Sequence, residues 1–278
     1  MKIGIRMPAF DMGFVEIGVL NQDIPPQFKA KLGPKNVSEL SLKRAAEIGY
    51  DGVEFNMWFP YSMLLGEADV TKIKDFAKNL GVEIATLSAD WTWIYGAYHR
   101  KLAEWQICRT GLDCLKGDIK LASDLGAKAM LWHFGGARGT IDEVKAIFRD
   151  LAREAEKWRV RLGIESTIWT QMGLGGLDVL RTILDEINNE YFGVYVHGNQ
   201  KDVETVGRKT VGFHFSSTAG IMFPGNYKSL FDAFKKYYDW YVILEPMSSY
   251  TSSYADFIKD SALESSKKAM TKILSENW

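Results

Sequence analysis

The sequence predicts an α/β chain folded as a single (β/α)8 TIM barrel, one domain over residues 1–278. Three observations predict it. A unit of amphipathic helix, glycine and apolar strand recurs along the chain. The later apolar runs are hydrophobic at both parities, as parallel strands covered on both faces require. No Gly-x-Gly-x-x-Gly follows the first strand, which disfavours the main rival, an open doubly wound sheet.

The first strand is read at Lys2–Met7, and its pattern is that of a strand rather than a signal peptide. A long connection with Pro25-Pro26 follows, about Pro8 to Asn36. Ile48-Gly49 then leads into a strand at Asp51–Met57, Leu80-Gly81 into Val82–Ser88, and Leu125-Gly126 into Ala127–His133. Glycine suits the left-handed position that ends each helix just before the next strand. Asp69 stands as a cap before an apolar stripe of Val70, Ile73, Phe76, Ala77 and Leu80. Thr140 with Glu143 fits a capping box ahead of an apolar stripe of Ile141, Val144, Ile147, Phe148, Leu151 and Ala155. Four more strands follow at Val160–Glu165, Phe192–His197, Val211–Phe215 and Trp240–Glu245. A last helix, about Tyr254 to Leu274, carries lysines on a solvated face. Two connections are long, the first and the aromatic one from Asp90 to Arg100, and in a barrel both fall on the catalytic rim as lids.

A net charge of −1 gives no long-range attraction to nucleic acid or to an anionic membrane. No apolar run approaches the roughly 20 residues that span a bilayer. Cys108 and Cys114 are six apart and fall on different faces of one helix, which argues against a disulfide and for a reducing, cytoplasmic setting. Nothing in the sequence fixes the oligomeric state, and a homo-oligomer stays open.

Polar residues gather where strands end. Glu165, His197, His214 and Glu245 come from the fifth, sixth, seventh and eighth strands. Parallel neighbours lie about 4.8 Å apart, so these side chains can converge on one ion. Two carboxylates and two imidazoles suit a divalent metal ion such as Mn²⁺, Zn²⁺, Co²⁺ or Fe²⁺. The bland alternative is a set of buried polar groups satisfied by hydrogen bonds. His133 ends the fourth strand, where it either serves a substrate hydroxyl or bonds a backbone carbonyl. Glu54 ends the second strand and would orient substrate or a catalytic neighbour, or be structural. Trp58, Trp91, Trp93, Trp132 and Trp169 lie at or just after strand ends. Their faces would stack on a sugar ring, or simply pack the lid loops. The glycine-rich turn with Arg138 and the turn at Met172–Gly176 precede helices and give a weak anion-binding signal. Ser216-Ser217-Thr218 and Ser248-Ser249-Tyr250 offer hydroxyls without a triad.

Tyr50-Asp51-Gly52-Val53-Glu54-Phe55, Gly163-Ile164-Glu165, Gly212-Phe213-His214-Phe215 and Ile243-Leu244-Glu245-Pro246 resemble the xylose isomerase-like barrel superfamily, including its sugar phosphate isomerases and epimerases. In its ketose epimerases a Glu, an Asp, a His and a Glu hold the metal, and the two glutamates move protons. The resemblance implies Glu165, His214 and Glu245 as ligands. Departures accompany it. The Asp-x-x-His of the sixth strand reads His197-Gly198-Asn199-Gln200, so the Asp has become His and the His has become Gln200. The Glu-x-x-Asn-Arg-x-Glu pattern reads Glu165 to Gln171 with three side chains replaced. The arginine expected six residues past the third ligand falls on Gly220. An endonuclease IV relative would need many more His and Asp residues than a chain with four histidines supplies.

The expected activity is metal-dependent isomerisation, epimerisation or dehydration of a sugar or polyol, with Glu165 and Glu245 passing a proton beside a carbonyl. Trp58, Trp91, Trp169, His133, Glu54 and Gln200 are expected around the substrate. The competing expectation is a sugar-binding barrel with a degenerate metal site and no catalysis. Phosphate-ester hydrolysis would need a further ligand near Glu165.

Overall fold

The computed structural model describes residues 1–8, 10–11, 35–57, 60–92, 105–134, 140–171, 173–197, 199–218, 221–222, 227–246 and 261–278. Eight parallel strands close on one another: β1 (Lys2–Pro8), β2 (Gly52–Asn56), β3 (Glu83–Ala89), β4 (Ala129–Trp132), β5 (Arg161–Glu165), β6 (Phe192–His197), β7 (Thr210–Thr218) and β8 (Tyr241–Pro246). Each pairs in parallel with the next, and β8 returns to β1 through Ile3↔Val242 and Ile5↔Leu244. The predicted single (β/α)8 barrel is the observed architecture. Two short antiparallel pairs decorate it: Phe10–Asp11 with Lys35–Asn36, and Ile221–Met222 with the end of β7.

The helices are α1 (Ser38–Ile48), α2 (Glu67–Leu80), α3 (Trp105–Leu125), α4 (Ile141–Trp158), α5 (Ser166–Gln171), α6 (Leu177–Ile187), α7 (Gln200–Val206), α8 (Tyr227–Tyr237) and α9 (Ser261–Asn277). Gly49 and Gly81 end α1 and α2 in the left-handed conformation that the sequence pattern called for. The capping box at α4 forms as expected, with Thr140 N–H donating to Glu143 at 2.7 Å and Glu143 N–H to Thr140 Oγ1 at 3.3 Å. At α2 the cap is displaced from the expectation. The helix starts earlier, at Glu67, and Asp69 is its third residue, reaching back to accept the Gly66 N–H at 3.0 Å. Both Cys108 and Cys114 lie on α3. No helix among the described residues is long and apolar enough to cross a membrane.

Strand alternation sorts the side chains. One parity of each strand faces the helices and builds the main core, for example Ile3, Ile5, Met7, Val53, Phe55, Ile164, Val194, Val196, Phe213, Val242 and Leu244. The other parity faces the barrel axis, where Ala85, Leu131, Tyr195, Tyr241 and Ile243 fill the interior. Tyrosine is large for this space, and glycines opposite make room. A Cβ on Gly212 would stand 2.2 Å from Cε2 of the buried Tyr195 ring, and one on Gly52 would stand 2.8 Å from the Tyr241 hydroxyl. This apolar plug closes the lower barrel, so the inward positions near the C-terminal strand ends are left for polar groups.

The rim is braced from outside by Asp118 on α3, which is fully buried. It accepts the Ser62 N–H at 2.9 Å and the Trp91 indole N–H at 2.9 Å. Burial pushes its carboxyl up to about 6, partly offset by those donors.

Two measurements test this account. Gly212→Ala should lose about 1–3 kcal/mol by overpacking against Tyr195, read by urea denaturation; unchanged stability would mean the ring is not held there. Asp118 has a folded value above its unfolded one, so its favourable contribution is complete below about pH 4 and is lost as pH rises through about 6. Wild type should lose about 3 kcal/mol against Asp118→Asn between those pH values and then level off. A difference independent of pH would contradict the burial argument.

Candidate functional site

All eight strands send a polar group to one end of the barrel. Arg6 lies on β1, Glu54 on β2, Asp90 just past β3, His133 just past β4, Glu165 at the end of β5, Tyr195 and His197 on β6, His214 on β7 and Glu245 on β8. All but His197 are buried. His197, with 24% of its side chain exposed, is the part of the cluster that meets solvent.

The groups form a ring of alternating charge type. Arg6 pairs with Glu245 and with Asp90. Asp90 Oδ1 is 3.0 Å from His133 Nδ1, and His133 Nε2 is 3.1 Å from Glu165 Oε2. Glu165 Oε1 lies 3.0 Å from His197 Nδ1, which is 3.6 Å from Glu245 Oε2. Beneath the ring, Glu54 accepts from the Tyr195 hydroxyl at 3.0 Å and meets His214 Nε2 at 2.8 Å. Local contacts hold the ends in place. The Thr167 hydroxyl donates to Glu165 at 2.8 Å, the His197 N–H donates to Ser166 Oγ at 2.9 Å, and Thr92 donates to the His133 carbonyl at 2.9 Å.

Burial and charge compete at each group. Burial alone would raise the Glu165 carboxyl, but His133 and His197 hold it well below the usual carboxylate range. Burial opposes protonation of His133, yet the Asp90 and Glu165 carboxylates outweigh it and raise its pKa. His214 behaves likewise, with Glu54 and Glu245 as the raising charges. Burial and the Glu54 charge push the Tyr195 phenol well above its normal value, so it stays a donor.

Glu165, His197 and His214 form a group that could hold a cation, each offering a donor atom within 4.8 Å of the others. The residues fit one for a specific reason. Among the described residues His214 Nδ1 is buried without a hydrogen-bond partner, while its Nε2 is engaged by Glu54. A carboxylate on the far nitrogen is the usual support of a metal-binding imidazole. Glu245 Oε2 lies 3.8 Å from that same Nδ1.

The remaining sequence expectations divide. Glu54 is in the cluster, as an orienting group under His214 rather than at the open end. His133 is also in it, bridging Asp90 and Glu165. Trp58, Trp93, Arg138 and Gly220 lie outside the described residues. Trp91 and Trp169, expected against substrate, are core residues instead. Trp169 is fully buried, stacks on Phe134 with ring centres 6.2 Å apart and donates its indole N–H to Gly176 at 3.1 Å. Trp91 spends its N–H on Asp118, and Trp132 packs against Phe134 and Phe148. Buried indoles need an acceptor and find it in the helical layer. Gln200 opens α7 and donates to Glu204 at 2.7 Å, so its amide faces the helix surface rather than the ring. The sequence reading passed over Arg6, Asp90 and Tyr195. Arg6 had a signal, as a charge inside the otherwise apolar run Ile3–Met7, and Asp90 stood one residue past a strand end.

A family model described as a xylose isomerase-like TIM barrel matches residues 42–259. None of the curated proteins is a significant sequence match. Among solved structures, a xylose isomerase domain protein from Planctomyces limnophilus superposes with a TM-score of 0.68 at 13% identity, covering 99% of this chain and 98% of that one. A D-psicose 3-epimerase from Clostridium cellulolyticum H10, solved with D-tagatose, gives 0.67 at 11% identity over 99% of both chains. A D-allulose 3-epimerase from Methylomonas sp. gives 0.65 at 15% identity, covering 100% of this chain and 97% of that one. At these identities the superpositions speak for the fold, and the match over most of the sequence speaks for the family: the chain belongs to the xylose isomerase-like TIM barrel family.

Proposed function

We propose that the protein is a metal-dependent isomerase or epimerase of a neutral sugar or polyol, moving a proton at the carbon beside a carbonyl. The observation that carries the reading is the placement of Glu165 and Glu245, which flank His197 Nδ1 at 3.0 and 3.6 Å where the ring meets solvent. Solved relatives of the same fold act on ketoses such as D-psicose and L-ribulose, which supports a sugar substrate.

Glu165, His197, His214 and Glu245 would hold the cation, which when bound supplies Lewis-acid polarisation of adjacent substrate oxygens. The proton chemistry belongs to the chain. One carboxylate removes the proton from the carbon beside the carbonyl, leaving an enediolate. In epimerisation the other carboxyl, protonated at the start, gives its proton to the opposite face of that carbon; in isomerisation a carboxyl gives the proton to the former carbonyl carbon while the hydroxyl proton passes to the former carbonyl oxygen. Thr167 and His133 fix the two oxygens of Glu165, and Arg6 fixes one of Glu245. The competing reading, a sugar binder without turnover, draws on Gln200, whose amide is turned away to Glu204.

Two experiments separate these. Chelator-treated protein titrated with Mn²⁺, Zn²⁺, Co²⁺ or Fe²⁺ should rise in thermal stability, by about 2.7 kcal/mol at a concentration 100 times Kd. His214→Ala should abolish the rise, and a wild type indifferent to all four ions would remove the metal from the reading. Incubated in D₂O with D-fructose, D-tagatose and related neutral ketoses, the metal-loaded protein should incorporate deuterium beside the carbonyl. Glu165→Gln should slow this by about 10²–10⁴-fold with sugar affinity little changed. Wild-type exchange by that variant would take Glu165 out of the mechanism, while tight sugar binding with no exchange in wild type would favour the binder.

A further inference from the structure

Arg6 has no assigned part in metal binding or proton transfer, yet it sits fully buried at the centre of the site. A guanidinium keeps its charge at every accessible pH, and burying it is costly without well-placed partners. Strand register decides what those partners are. Ile5 pairs with Leu244 and Arg6 pairs with Glu54, so the next inward residue on β8 is Glu245. The fork donates from one terminal nitrogen to Glu245 Oε1 and from the other to Asp90 Oδ1, and its Nε lies 3.8 Å from Glu54 Oε1.

Each contact has a consequence one step further on. With Oε1 held by Arg6, Glu245 turns Oε2 toward His197 Nδ1 at 3.6 Å and His214 Nδ1 at 3.8 Å. Asp90, held on the other side, lies against His133, and His133 meets Glu165 Oε2 at 3.1 Å. One rigid, planar group therefore stands behind both carboxylates of the site, directly at Glu245 and through Asp90 and His133 at Glu165.

We infer that Arg6 is the positioning residue of this centre: its forked guanidinium sets the aim of Glu245 Oε2 and, through the Asp90–His133 arm, the aim of Glu165. The inference rests on the reading of Glu165 and Glu245 as ligands and proton carriers. Lysine would preserve the charge but is a point donor on a flexible stem, and it does not reproduce two fixed bonds in one plane.

The test uses the full chain as wild type, Arg6→Lys and Arg6→Met. The readouts are melting temperature, Mn²⁺ affinity by calorimetry without sugar, and kcat and KM on whichever neutral ketose the wild type turns over. Arg6→Lys should fold, bind Mn²⁺ about 10–100-fold more weakly, and lose kcat by a similar factor with KM within about threefold. Arg6→Met should be weaker still in Mn²⁺ binding, and if it fails to fold, Arg6→Lys decides alone. A lysine variant that melts lower but keeps Mn²⁺ affinity within twofold of wild type has lost only a structural contact, which overturns the inference. A wild type that binds Mn²⁺ and turns over no ketose overturns the proposed function but leaves the affinity ratio to judge Arg6. The same affinity ratio is read with Zn²⁺, Co²⁺ or Fe²⁺ if the wild type prefers one of them to Mn²⁺, and a wild type that binds none of the four overturns both.

Discussion

Four carboxyl groups, Glu54, Asp90, Glu165 and Glu245, share the mouth of one barrel, and all four are buried. Unbalanced, such a cluster would cost several kcal/mol per charge. The rest of the site follows from how that negative charge is compensated. One arginine and three histidines are interleaved with the carboxylates so that few acid groups face one another directly. The compensation is incomplete if the histidines are neutral, and the upward shifts of His133 and His214 are the response of a cation-poor cavity. A bound divalent cation, on the proposed reading, would answer the same deficit at the donor atoms of Glu165, His197 and His214.

The closed barrel makes this arrangement possible. Strand-to-strand spacing and alternation bring one inward residue per strand to a common level, and the Tyr195–Tyr241–Ile243 plug beneath keeps that level from collapsing inward. Tyr195 belongs to both layers. Its ring fills the space left by Gly212, and its hydroxyl is a fixed donor to Glu54. Packing in the apolar floor is thereby transmitted to the orientation of a polar group above it.

The strands were legible because a strand buried on both faces is a short apolar run, and because Gly49, Gly81 and Gly126 mark the helix ends before β2, β3 and β4, whereas Arg159 and Asn188 take the left-handed position before β5 and β6. Their ends were legible too, since a polar residue that closes such a run must face either the rim or solvent. What the run pattern does not carry is partnership. Arg6 and Glu245 are 239 positions apart, and Tyr195 and Glu54 are 141 apart. Only barrel closure joins them. The expectation for Trp91, Trp132 and Trp169, which lie in the core, erred for a related reason. Proximity to a strand end says nothing of parity, and Trp132 faces the helices while the adjacent His133 faces the axis. Gln200 was misplaced because a motif position was carried over without its backbone: Asn199 caps α7, accepting from Lys201 and Asp202, and this puts Gln200 on the first turn of a surface helix.

The substitution at position 197 makes sense within this charge arrangement. An aspartate there, as the resemblance to the ketose epimerases implied, would add a fifth carboxylate to a cavity that already has to neutralise four. On the proposed reading a histidine would supply a ligand nitrogen without adding negative charge, and it stands between Glu165 and Glu245, where two carboxylates would otherwise repel. The buried arginine on β1 works in the same direction, since it pairs with Oε1 of Glu245. Both features lower the negative charge presented to a cation, so the site trades electrostatic attraction for nitrogen donors. Nitrogen-rich donor sets favour borderline ions over hard ones. If the proposed function holds, the ion would be one that accepts imidazole readily, with Mg²⁺ and Ca²⁺ at a disadvantage set by the nitrogen donors.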